Sequence, residues 1–281
     1  MNRPIILSTI LAVCSSAHAT NDDALGMLML SNASQADEAA AVPAKTAKPS
    51  PLYIKADVGL NLLQDADWRD TGFASQPHFQ FNAGIDSSLG LGVKIQEKTK
   101  GGITERFNME FSVGFMWNSL DAVSSSVEQL VDPIGPNSSG FWGLSGGEGR
   151  MMQIPITVDF IWTMYETDRI SISLNGGFGA QWTDFDLKNA NFSEYTAPTG
   201  TVTRNFDLNA SGNAVAFRYQ GGLDVRFKLA AGIQLGGYLQ YAGATSTSLG
   251  RLTTGSPAPL GELKLGALNN FSVGARLTIA F

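Results

Sequence analysis

From Leu52 to Phe281 the chain alternates apolar with polar side chains, and a period of two restricts it to strands with one greasy and one wettable face. Leu52, Ile54, Ala56, Val58, Leu60 and Leu62 interleave with Tyr53, Lys55, Asp57, Gly59 and Asn61. A second run sets Phe79, Phe81, Ala83, Ile85, Leu89, Leu91 and Val93 on one face, and a third sets Phe107, Met109, Phe111, Val113, Phe115 and Trp117. The fourth carries Met152, Ile154, Ile156, Val158, Phe160 and Trp162; four more run from Ile170 to Trp182, Val215 to Phe227, Ile233 to Tyr241 and Phe271 to Phe281. The gaps after the odd-numbered runs are long, at 63–78, 118–150, 183–213 and 242–270. Those after the fourth and sixth are tight, at Glu166-Thr167-Asp168 and Ala230-Ala231-Gly232, and Gln96 to Thr104 is intermediate. Long loops on one side and short turns on the other are the pattern of a membrane-spanning barrel.

The same alternation serves a soluble barrel with its apolar side inside. Volume separates the two, because an eight-stranded barrel has an interior just wide enough for packed side chains and cannot enclose so many Phe, Trp, Tyr, Leu and Ile. The opposite face, rich in Gly, Ser, Asn and single charges, does fit. Aromatic residues also gather near run ends: Phe79, Phe81, Phe115, Trp117, Trp182, Phe217, Tyr219, Tyr241 and Phe271 beside the long gaps, and Trp162, Phe227 and Phe281 beside the short ones. Two such girdles suit the two water–lipid boundaries. In lipid the sheet must close, since open edges leave N–H and C=O groups unpaired. The expected fold is all-β: an eight-stranded antiparallel up-and-down transmembrane β-barrel over 52–281, with its polar face inward. Charged residues are 16% of the chain, against roughly 25% in a typical soluble domain. The net charge of −6 argues against a nucleic-acid partner.

The N-terminus reads as an export signal over 1–19: Arg3, an apolar core from Ile5 to Val13, and Ala17-His18-Ala19 as the cleavage site. The core is shorter than the ~20 residues of a transmembrane helix. The one cysteine, Cys14, lies within it, and Leu11-Ala12-Val13-Cys14 has an alternative reading as an acylation box, with a bulky Val13 where a small residue is usual. Residues 20–51, apart from the apolar patch Leu25 to Leu30, have the Ala/Pro/Lys composition of a flexible periplasmic tether.

The last twelve residues, Asn270-Phe271-Ser272-Val273-Gly274-Ala275-Arg276-Leu277-Thr278-Ile279-Ala280-Phe281, resemble the C-terminal signal of outer-membrane proteins, with Gly274, Leu277, Ile279 and the terminal Phe281 in its pattern. With the export signal and eight runs, residues 52–281 resemble, in architecture, small barrels of the OmpA transmembrane-domain and opacity-protein kind. The resemblance implies a bacterial outer-membrane location, outer-membrane lipid as surroundings, and recognition of the last strand by the insertion machinery.

The inward phase carries Lys55, Asp57, Asp86, Glu110, Asp159, Arg218, Asp224, Arg226 and Arg276. Arg276 and Asp57, on neighbouring strands once the barrel closes, are expected to pair. Glu110 and Asp159 are expected on adjacent strands, where they either recruit Arg226 or share a proton. The set reads as a salt-bridged plug, or alternatively as the charged gate of a narrow diffusion channel, and buried charges are normally paired. Enzymatic readings are weak. His78 is the one histidine outside the signal, and neither a partnered Ser nor aspartates at the rim can be placed beside it. Zinc lacks ligands. Asp65, Asp67 and Asp70 lack calcium-loop spacing and read as solvated loop. No cofactor is expected. The expected role is non-enzymatic: envelope integrity, with long loops, including an exposed Phe141-Trp142 tip, presented to an unknown extracellular partner for adhesion or recognition.

Overall fold

A computed structural model describes residues 51–67, 78–101, 103–124, 128–131, 139–196, 201–251 and 262–281. The export signal and the tether at 20–51, apart from Pro51, lie outside the described residues, as does Asp70. Eight strands form the wall: β1 (Leu52–Leu63), β2 (Gly84–Lys100), β3 (Ile103–Ser124), β4 (Ser139–Glu166), β5 (Ile170–Thr196), β6 (Thr201–Ala230), β7 (Ile233–Ala244) and β8 (Leu268–Ala280). Each pairs antiparallel with its sequence neighbours, and β8 returns to β1 with Asp57 opposite Arg276 and Gly59 opposite Gly274. The sheet is closed, so the wall strands leave no ladder edge to lipid.

Turn chemistry explains the tight ends. Gly232 between β6 and β7 and Gly101 between β2 and β3 take positive φ (78° and 60°), which glycine adopts without a Cβ penalty. Between β4 and β5 the Thr167 hydroxyl accepts the amides of Arg169 and Ile170 at 3.4 and 3.3 Å.

The outward phase is apolar around the barrel. Phe111 is 52% exposed, Val58 64% and Leu89 69%, together with Leu60, Ile156, Phe160, Leu223, Leu235 and Val273. A continuous greasy belt of this extent is a lipid-facing surface. Trp162, Phe227 and Phe281 mark its short-turn edge; Trp117, Phe217, Tyr219, Tyr241 and Phe271 mark the other.

The structure corrects the reading at the loop end in two respects. The gaps at 118–150 and 183–213 are largely strand: β4, β5 and β6 run 28, 27 and 30 residues, far past the belt. Phe79 and Phe81 are not girdle residues. They belong to a short strand, His78–Phe81, that pairs with the top of β3 through a register shift at Gln80/Phe81, and Asn82-Ala83 separate it from β2. That break reverses the phase, so Phe79 is fully buried inside the barrel while Ile85 faces out.

Candidate functional site: a layered lumen

The inward phase changes character with depth. At the short-turn mouth a ring of alternating charge joins four strand ends: Lys94 to Glu97 (2.7 Å), Glu97 to Arg106 (3.3 Å), Arg106 to Glu166 (2.9 Å) and Glu166 to Lys228 (2.8 Å). Glu97 sits beyond the belt; the hydrogen bond from Lys94, with Arg106 nearby, holds its carboxyl below the ordinary glutamate range.

Above the ring lies the charged layer. Arg276 binds Asp57 through two nitrogens, at 2.8 and 2.9 Å, and reaches Asp224 at 3.4 Å. Lys55 sits between Asp57, at 3.3 Å, and Glu110. Arg226 lies 3.2 Å from Asp224, without hydrogen-bond alignment at Nε, and donates to Ser173 at 2.7 Å. Glu110 and Asp159 face each other across β3 and β4, but Arg226 does not join them. Lys55 and the Tyr53 hydroxyl serve Glu110, while Ser112, Thr157 and Gln220 donate to Asp159. Polar hydrogens from four strands thus take the place of the expected arginine.

Tyr238 lies across the barrel, donating to Asp86 at 3.1 Å with the Arg276 guanidinium 5.2 Å from its ring centre. It fits because Gly59 and Gly274 face each other beneath it, and a Cβ on either would collide with the ring. Gly274 therefore has a packing role within this barrel, whereas Leu277, Ile279 and Phe281 point outward. Arg218, 1% exposed, donates to Gln181 and Gln220, and Gln220 relays it to Asp159.

Next comes a neutral layer. Asn61 donates to Asn118 (2.6 Å) and Asn270 (3.1 Å), and Asn270 donates to Gln153 (3.0 Å). Beyond it the interior is apolar: Phe79, Met151, Phe185, Leu187, Leu208 and Leu268 are buried together, with the Phe79 and Phe185 rings edge-on at 5.2 Å. A two-stranded hairpin, Thr247–Arg251 with Glu262–Leu265, contributes Leu249 and Leu265. The bare position at Gly212 admits the Leu249 backbone.

The charged layer contains cavities of about 20 and 10 Å³, the larger with room for one water. Below, the mouth holds a vestibule of about 360 Å³. Among the described residues no group of three or more His, Cys, Asp or Glu is placed to hold a metal ion. At the loop-side rim Asp67, read from sequence as solvated loop, lies 2.7 Å from the exposed His78. The mouth ring and the amide layer were not singled out by the sequence. Asn61, Asn118, Gln153 and Asn270 sit on the inward phase at one depth, which only the strand registers reveal.

No family model and no curated protein matches the chain. Among solved structures it is similar to Neisserial surface protein A (10% identity, 83% of this chain and 99% of that one, TM-score 0.39). It is also similar to the outer membrane protease OmpT of Escherichia coli (10%, 84% and 99%, TM-score 0.46). A third is Ail, the attachment invasion locus protein of Yersinia pestis (13%, 81% and 99%, TM-score 0.31). The reading rests on the molecule itself: a closed antiparallel wall, a belt of exposed apolar side chains and a hydrogen-bonded polar interior at the depth of that belt. The chain folds as a closed eight-stranded antiparallel β-barrel with a lipid-facing apolar belt.

Proposed function

We propose that this barrel is a closed, non-enzymatic element of the envelope, stabilising the membrane it spans and presenting its loop end for adhesion or recognition. The observation that carries this reading is the filled cross-section. Lys55, Asp57, Asp224 and Arg276 bridge the interior at one level, and Phe79, Met151, Phe185 and Leu208 fill it above. Among the described residues the cavities within the charged layer are about 20 and 10 Å³, too small to pass a solute, which supports a closed bore. The presented surface is the extension of β5 and β6, where residues 184–196 add about 40 Å of strand at ~3.3 Å per residue. Its outward side is polar, with Asp184, Asp186 and Lys188 on β5 and Asn205, Asp207, Asn209, Ser211 and Asn213 on β6. In this reading Leu277, Ile279 and Phe281 serve the insertion machinery, and His78 with Asp67 is an interfacial hydrogen-bonded pair.

Recording from the purified protein in planar bilayers tests the plug. The expected result is no steady conductance; a stable ohmic current that falls when Gly59 is replaced by a bulky residue would establish the narrow channel instead. The vestibule is the feature that favours that second reading, since it carries water to the base of the charged layer. For the non-enzymatic reading, His78→Ala should leave membrane lipid composition and peptide cleavage by cells unchanged.

A further inference from the structure

We infer that the vestibule at the short-turn mouth is a binding site for a small oxyanion, a phosphate or carboxylate group, held between Arg226, Lys228 and Arg106. This goes beyond the plug reading, which assigns nothing to the mouth. The cavity, at about 360 Å³, is within the range of small-molecule sites. Its wall carries four cations, Lys94, Arg106, Arg226 and Lys228, and two carboxylates, Glu97 and Glu166. Those carboxylates are already shared: Glu166 between Arg106 and Lys228, and Glu97 between Lys94 and Arg106. Arg226 has Asp224 alone, and Asp224 is divided between it and Arg276. With Asp224 counted, the mouth holds four cations against three carboxylates, one of which is shared with Arg276.

A second observation is independent of charge counting. Arg226, Asn108 and Thr278 are 6%, 3% and 6% exposed and line the cavity; Oδ1 of Asn108 and Oγ1 of Thr278 have no hydrogen-bond partner, and Nε of Arg226 meets Asp224 alone, at 3.2 Å and out of hydrogen-bond alignment. Buried polar atoms are ordinarily paired. A guanidinium N–H and a hydroxyl beside an excess of cations are donors suited to oxygen, and the Asn108 amide turns its N–H₂ inward by a simple flip. Leu52, Ala230 and Ala280 supply apolar wall for whatever carries the anion.

The experiment is calorimetric titration of the full chain in neutral detergent with inorganic phosphate and with glycerol phosphate. One saturable site is expected. Arg226→Gln should weaken it by roughly tenfold or more, as for hydrogen bonds to a charged group. Lys228→Gln, at the more exposed rim, should weaken it also, and Lys188→Gln at the loop end should not. Absence of saturation with both probes, or affinity unchanged in both Arg226→Gln and Lys228→Gln, overturns the assignment. Repeating the titration in phosphatidylglycerol and phosphatidylcholine nanodiscs distinguishes sources. Competition by the anionic lipid identifies a headgroup as occupant, and equal affinity in the two identifies a free solute; either outcome supports the site.

Discussion

The two ends of the interior share one wall and one alternation, yet they are filled by opposite chemistries. At belt depth, where hydrocarbon lies outside, the inward side chains are Lys55, Asp57, Glu110, Asp224 and Arg276, locked by ion pairs. Past the belt the wall stands in water, and the inward side chains become Phe79, Met151, Phe185, Leu187 and Leu208. The difference follows from where the hydrophobic effect operates. With lipid outside, burying apolar groups in the lumen gains little, so shape and pairing of polar groups fix the barrel's bore. With water outside, the extension must build a core like that of a soluble protein.

The largest expected effect falls on the polar end. Arg276→Met leaves buried Asp57 with Lys55 alone and buried Asp224 with Arg226 alone, and should cost about 3–5 kcal/mol, measured by urea unfolding in lipid vesicles. A loss no greater than that of a surface substitution would mean water reaches these carboxylates, breaking the contrast. At the apolar end Phe185→Ala should cost about 3–4 kcal/mol, but locally: hydrogen exchange should rise across 184–213 while 154–162 stays protected. Exchange rising equally in both segments would show the two ends unfolding as one unit. The outer surface gives a third test. Val58→Arg places a charge in the belt, at about 2–4 kcal/mol near the midplane, whereas Asn213→Arg on the extension should stay within about 0.5 kcal/mol. Equal costs would move the membrane boundary above Trp182. The smallest effect concerns Glu97. Its folded carboxyl titrates below the ordinary glutamate value, so its contribution is present above that value and is lost as pH falls through the depressed one. A carboxyl-carbon NMR titration should show a midpoint below that of free glutamate; a midpoint at or above it would detach Glu97 from the mouth ring.

What sequence makes legible here is phase, and what it hides is depth. The alternation of Phe107 to Trp117 with Asn108 to Asn118 is enough to assign lipid and lumen sides, because a period of two admits one reading once the greasy face is too bulky to enclose. The same logic fails at Phe79, where two residues outside any strand, Asn82 and Ala83, shift the register and send an aromatic inward. It also fails for 183–213. Ser, Asn, Asp and Gly there look like loop, but their ladder partners on the adjoining strand and the apolar alternates Phe185, Leu187, Leu208 and Ala210 make them wall. The partners of Glu110 were invisible for another reason. Tyr53 reaches it because Gly92, on the intervening strand, leaves space where a Cβ would meet the ring, a contact set by cross-strand geometry rather than local pattern.

Strands of 27 to 30 residues on one side and 12 or 13 on the other give the barrel staves of unequal height. Seen from above, such a vessel has a compass bearing as well as an inside and an outside. On the proposed reading of the loop end as the presented surface, a partner meets the high screen of β5 and β6 on one flank, so engagement is directional before any single side chain is chosen.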